Sequence, residues 1–377
     1  MRVLRGVALA AASTAAIAAA GLTAPASWAQ PQHSRTSFIG RFHHAPTVAS
    51  TVPANGDVNP YGVAVVRHSQ GRLHRGDVLV SNFNDKAPNN FQGTGTTIVQ
   101  ISPGGHVTQF ARISPAGLPG ACPGGIGLTT ALVIVHGWVV VGSLPSVDGS
   151  AATSSAGCLL VLDSRGTVRA TIHGHGINGP WDMTAVSFGR TSALFVTNVL
   201  NGTVAAKGAV VHRGTVLRLV LRFRGHRVPS LRSVTTIGSG LAEQTNAAAF
   251  VVAPTGLGLG RHDSLYVADT NANRVIVIRR ALVRHTSAGT GRVVSVGGLL
   301  NNPLGLAIAP NGDVLTVNGG NGRIVEISPA GVQVASRFLN RTGSPPGSGA
   351  LFGLAVAPRG AGVYFVDDVA NTLRILR

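Results

Sequence analysis

The feature that most constrains this chain is a phrase it repeats. Asn302-Pro303-Leu304-Gly305-Leu306-Ala307-Ile308-Ala309-Pro310-Asn311-Gly312-Asp313-Val314-Leu315-Thr316-Val317-Asn318 returns as Phe352-Gly353-Leu354-Ala355-Val356-Ala357-Pro358, followed by Val363-Tyr364-Phe365-Val366-Asp367. Looser copies open at Asn59-Pro60-Tyr61-Gly62, Gly125-Ile126-Gly127, Pro180-Trp181-Asp182 and Asn246-Ala247-Ala248. Each copy carries short apolar runs of strand length. They are separated by Pro-Asn-Gly or Pro-Ala-Gly tripeptides, whose fixed or positive φ suits tight reversals.

Repeats of roughly 40–65 residues built this way read as blades of a β-propeller. Blade starts are expected near residues 59, 124, 179, 246, 301 and 350, which makes six blades of four antiparallel strands. In the fifth the strands are expected at residues 304–309, 313–317, 323–328 and 332–338. The sixth has only three before the chain ends at Arg377, so residues 47–52 are expected to supply its missing strand and close the ring without an exposed edge.

Residues 1–29 have the pattern of an export signal: Arg2 and Arg5, an apolar run, then Ser27-Trp28-Ala29 with small residues flanking a cleavage point. The mature chain, residues 30–377, is then a single propeller in a periplasm or outside the cell, with no transmembrane anchor after cleavage. Cys122 and Cys158, an even pair in such a compartment, are expected to form a disulfide.

Lys plus Arg number 31 against 13 Asp plus Glu, a net charge of +18, with glutamate only at Glu243 and Glu326. A basic surface suits an anionic partner, but the arginines are scattered and no basic run exists. This favours overall composition and an acidic compartment. The segment Leu217-Arg218-Leu219-Val220-Leu221-Arg222-Phe223-Arg224 alternates apolar and basic positions as an outer strand with one solvated face would. It lacks the aromatic interleaving that nucleic-acid binding needs.

The chain resembles the NHL-repeat family of propellers, on Leu265-Tyr266-Val267-Ala268-Asp269-Thr270-Asn271-Ala272-Asn273-Arg274-Val275 and on Asn302-Pro303 through Ala307. The resemblance extends over nearly the whole mature chain and is sharpest in blades four to six. It implies a fold shared by binding platforms, a zinc-dependent lyase and relatives of the lactonases, and no single chemistry.

Function must therefore be sought in sites. Long insertions at residues 83–96, 144–157 and 199–214 fall on one face, here called upper, of blades one to three, where a binding rim is expected. The second strands end in polar residues: Asn82, Ser143, Asn198, Asp269, Asn318 and Asp367. Asn and Asp there cap turns, and around one channel they would also hold a polar ligand or a Ca or Zn ion. Tyr61, Trp181 and Phe352 begin three inner strands and would either stack on a ligand or pack between blades.

The primary expectation is an exported binding or scaffolding module without cofactor, whose ligand (a protein, a glycan or a small molecule) sits on the upper face over blades one to three. The alternative is a metal-dependent lactonase or lyase using the channel. No glutamate opens the first blade, so Glu243 is the substitute ligand that resemblance to lactonases would require, and His173 with His175 the pair for a lyase. A His-x-His pair in a loop is by itself a weak metal signature.

Overall fold

The computed structural model describes residues 36–86 and 89–377; the export signal expected at residues 1–29 lies outside the described residues. Residues 37–377 form six antiparallel sheets. Their innermost strands are Val58–Val65, Leu128–Val135, Gly179–Phe188, Pro254–Leu259, Pro303–Ile308 and Leu351–Val356. These touch one another in cyclic order, so the sheets close into a six-bladed propeller around a channel. As expected, the ring is closed from the N-terminal side. Thr47–Ser50 pairs antiparallel with Thr372–Leu376 as the outer strand of blade six.

Inner strands lie against each other because the sequence keeps one position in the first half or middle of the strand small in five of the six blades. Gly62, Gly256, Gly305 and Gly353 occupy it in blades one, four, five and six, and Ala131 in blade two. A Cβ at Gly305 would run into the Phe352 carbonyl, and one at Gly353 into that of Tyr61. Hydroxyls on the second strands then join neighbouring blades: Ser81 Oγ donates to Thr129 O (2.7 Å), and Thr197 Oγ1 to Thr255 O (2.9 Å). Blade three breaks the pattern by placing Asp182 where the others carry glycine or alanine.

Two expectations about blade three are corrected. The fourth blade begins at Pro254, not at residue 246. Asn246 ends the long outer strand Arg227–Asn246, which folds back on Phe250–Val252 and makes blade three five-stranded. Its side chain accepts the N–H groups of Ala248 and Ala249 (both 2.8 Å), so it caps a turn. The alternating segment at residues 217–224 belongs to the third strand, Val211–Arg224, and one of its basic side chains is internal. Arg218 is buried and donates to Ala281 O (2.9 Å) of blade four.

The Cys122–Cys158 disulfide is present, with Cα atoms 5.2 Å apart, tying the loop ahead of blade two to its third strand. Among the described residues no helix is long and apolar enough to cross a membrane. Both features are compatible with export.

Candidate functional site

Tyr61, Trp181 and Phe352 are brought together at the centre of the channel. Tyr61 stacks on Phe352 (ring centroids 4.1 Å) and on Phe83 (4.6 Å), and meets Trp181 edge-on (5.8 Å). This aromatic plug leaves a neck of about 10 Å³, room for no more than about one water. It divides the channel into an upper vestibule of about 440 Å³ and a lower cavity of about 330 Å³. The aromatics pack on one another, as one of the two expectations had it, and Tyr61, Trp181 and Phe352 floor the vestibule.

The polar residues that end the second strands do not line either chamber. All six are buried to within 1 % exposure and hold the crossovers between blades. Asn82 Nδ2 donates to Thr51 O (2.9 Å), Ser143 Oγ to Gly125 O (2.9 Å) and Asn318 Nδ2 to Leu299 O (2.8 Å). Asn198 Oδ1 accepts Asn178 N–H (2.8 Å). Asp269 pairs with Arg274 (2.7 Å) and Asp367 with Arg374 (3.0 Å). Alternate residues of a strand face opposite ways, so it is the following position that turns to the channel. In blades four to six that position is Thr270, Gly319 and Asp368, all on the vestibule wall. In blades one to three it is Phe83, Leu144 and Val199, all in one apolar cluster.

That cluster explains the long insertions. Ala151, Leu200 and Phe250 pack with Phe83, Leu144 and Val199 over the blade one to three side of the mouth, with Val204 against them. Ser146 N–H donates to Gly93 O (2.9 Å), and Gln92 Nε2 to Ala248 O (3.4 Å), joining the loops to the hairpin of blade three. The insertions form a packed cap, and the vestibule opens beside them, toward blades four to six and the edge of blade one.

The vestibule's polar wall is mostly amide. Asn59 Nδ2 donates to Asn84 Oδ1 (2.9 Å), and Asn84 Nδ2 to Asn90 Oδ1 (2.8 Å). Asn59 Oδ1 is buried without a partner among the described residues. Asp368 is the carboxylic acid on this wall. Burial, reinforced by the neighbouring Asp367 charge, pushes its carboxyl up to about 7. Burial first, and then Asp368, push the Tyr61 phenol upward, so it stays protonated.

Glu243 and the histidine pair stand apart. Glu243 is buried beneath the loop of blade three, where Oε1 accepts Asn201 N–H (3.0 Å) and Oε2 has no partner among the described residues; burial pushes it up to about 7. His173 and His175 are exposed in the turn before blade three. Among the described residues, no three His, Cys, Asp or Glu side chains converge as a metal ion would require. With one carboxylate in the vestibule, the donor set does not fit the divalent site that the lactonase alternative invoked. Sequence reasoning missed Asp368, Asp182 and the Asn59–Asn84–Asn90 chain. The first follows Asp367 directly, and the second is the exception at the glycine position.

The sequence matches no protein-family model and no curated protein. Solved structures resemble it in fold. A gluconolactonase from Xanthomonas campestris is 12% identical with a TM-score of 0.54, covering 88% of each chain. A luciferin-regenerating enzyme is 11% identical with a TM-score of 0.52, covering 87% of this chain and 94% of that one. At such identities the likeness establishes the fold: a six-bladed propeller of the kind that lactonase-like proteins adopt.

Proposed function

We propose that the upper vestibule takes a small, uncharged, ring-shaped polar molecule of the lactone class and that Asp368 acts on it as a general base in ester hydrolysis. The observation that carries this reading is Asp368 itself: a half-buried carboxyl with no hydrogen-bond partner among the described residues, on the wall of a chamber floored by aromatics and lined by amides. Poised at about 7, it is ionised in part at neutrality and still basic enough to take a proton from water. The water oxygen bonds to the acyl carbon, and the ring oxygen leaves as an alcohol carrying that proton, giving a hydroxy acid. The side-chain amides of Asn90 and Asn302, both exposed on the wall, supply N–H donors for the developing oxyanion. The lactonase-like fold neighbours lend the substrate class direction and establish none of it.

A second reading, binding of a glycan or similar polar ligand without turnover, rests on the same floor and walls. Hydrolysis of a panel of γ- and δ-lactones, followed by pH-stat, separates the two. Hydrolysis is expected with kcat/KM rising through about pH 7, persisting after chelator treatment, and lost at least about 100-fold in Asp368→Asn while a lactam analogue still binds. A wild-type protein that binds lactams yet turns over no lactone returns the assignment to the second reading.

A further inference from the structure

The two ends of the ring differ in charge. At the upper end cations meet acids: Arg274 pairs with Asp269 and Arg374 with Asp367. At the lower end of blades three and four the fold gathers arginines that the sequence disperses. Between Asp182 and Glu243 the chain has seven arginines and no Asp or Glu, and between Asp269 and Asp313 five arginines and again no acid. Phe223 N–H donates to Arg190 O (2.8 Å), and Arg224 stands opposite Arg227 in the outer hairpin of blade three. Arg190, Arg222, Arg224 and Arg227 therefore crowd one end of that sheet. Arg218 draws in blade four: it donates to Ala281 O and Leu282 O, and Arg222 and Arg224 lie on the same side of its strand. That sets Arg279 and Arg280, which precede Ala281, on the same rim.

All six of these rim arginines are exposed, and among the described residues none pairs with a carboxylate. The acid on this rim is Asp263, half-buried in the turn before the second strand of blade four. Like charges opposite one another in a ladder are destabilising, so Arg224 facing Arg227 is a cost the fold carries without a counter-charge of its own. Beside the arginines stand apolar tips. Phe188, Val228 and Val283 are 53, 41 and 50 % exposed, at the two lower hairpins of blade three and in the lower loop of blade four. A water-soluble polyanion would neutralise the arginines and leave these tips wet. The surface of an anionic bilayer meets both: phosphates take the guanidinium forks, and the interface takes the apolar tips.

We propose that the lower rim of blades three and four docks the protein on an anionic phospholipid bilayer, with the arginines on headgroup phosphates and Phe188, Val228 and Val283 in the interface. The vestibule opens at the opposite end and so stays exposed to solution. Docking of this kind needs nothing of Asp368.

Sedimentation with vesicles tests this, using residues 30–377, which hold the closed ring and omit the apolar run at residues 6–22. Vesicles of equal parts phosphatidylcholine and phosphatidylglycerol are expected to bind at least about tenfold more tightly than phosphatidylcholine alone, and less tightly as salt rises. Arg222→Gln, Arg224→Gln and Arg227→Gln together should weaken binding about 100-fold, at about fivefold per arginine. Arg279→Gln with Arg280→Gln, which leaves the hairpin of blade three untouched, should weaken it about 25-fold. Phe188→Ser should weaken it at least about threefold without changing the salt dependence. Lys86→Gln, Lys207→Gln and Arg341→Gln, an equal loss of charge on the upper loops, should leave it within about twofold. An equal loss from the upper-loop triple would make net charge the cause, and retention on heparin without sedimentation on mixed vesicles would assign the rim to a soluble polyanion. Either result overturns the proposal.

Discussion

The two halves of this propeller are held by different means. Blades one to three carry their own support: the described parts of loops 83–96, 144–157 and 199–214 pack over Phe83, Leu144 and Val199, and a disulfide pins the base of the middle one. Blades four to six have short upper turns and depend on chain from elsewhere. Residues 37–42 dock on blade five, where the buried Glu326 carboxylate accepts Ser37 Oγ (2.6 Å), Phe38 N–H (2.7 Å) and Ile39 N–H (2.9 Å). Arg41 caps the arrangement by donating to Gly360 O of blade six (2.6 Å). The half that spends its loops on packing has an apolar mouth; the half stapled from outside keeps its mouth open, and Asp368 lies there.

The comparison fails outright if the open half stands without its staple. Deleting residues 37–53 removes the outer strand of blade six and the partners of Glu326 together, and is expected to abolish cooperative unfolding as followed by circular dichroism. A truncated protein with unchanged Tm would refute the closure. Next in size is the cap. Phe250 is 1 % exposed, sits at φ +61°, and meets the ring of Phe83 at 5.3 Å. Phe250→Ala should cost roughly 3–5 kcal/mol in denaturant unfolding, against less than about 1 kcal/mol for Ser348→Ala, an exposed residue of the vestibule wall on the open side. Equal costs would show that the cap is decoration.

Smaller is the disulfide, which closes a loop of 36 residues. Replacing both cysteines by serine should cost roughly 2–4 kcal/mol, preserve the β spectrum, and concentrate proteolysis within residues 144–157. Cleavage spread evenly over both halves would blur the distinction. The smallest effect sharpens it on the other side. Burial pushes the Glu326 carboxyl up, but hydrogen bonds from Ser37, Phe38, Ile39 and Asn311 together outweigh it and hold it below the usual glutamate range. Glu326→Gln should therefore cost about 1–3 kcal/mol at neutral pH, with a deficit that shrinks as pH falls through the pKa of the folded state. A deficit constant from pH 7 to 3 would assign the loss to shape alone.

Three other carboxyls act on stability with the opposite sign. Asp182, Glu243 and Asp368 are each raised by burial to about 7, so between pH 4 and 7 the folded state binds protons that the unfolded chain has released. Stability should fall as pH rises through that window and level off above about 7. Below it Glu326 acts in the opposite direction, so Tm is expected to peak at or below about pH 4. A Tm that climbs steadily from pH 5 to 8 would contradict the raised carboxyls.

Much of the fold was legible because propeller blades write themselves in apolar runs and glycine turns. The strand bounds of blade five are met to within a residue, and the closing strand is where the missing fourth strand demanded it. Blade four was misplaced because Asn246-Ala247-Ala248 mimics a repeat start, while its side-chain turn becomes visible only in three dimensions. The site was far less legible. The polar residues chosen at the strand ends are one position from those facing the channel, and in a structure of period two a slip of one exchanges inside for outside. Insertion length was plain in the sequence, but whether a loop stands open or folds inward depends on Phe250, Leu200 and Ala151, which read as ordinary apolar residues.

The N-terminal staple has a consequence for how the molecule is assembled. Phe38 meets Glu326 across 288 positions of sequence, so an early-made segment waits for a much later one. Blades one to five can condense in order as the chain emerges, each against its predecessor, from contacts that are local or one blade apart. The final ring closure pays the loop entropy of almost the entire chain in one step. Until then the third strand of blade six, Thr372–Leu376, presents an unpaired edge that any copy's Thr47–Ser50 segment fits. The protein's vulnerable moment is thus a late one, and crowding of half-finished chains would favour exchange of that strand between molecules over closure within one.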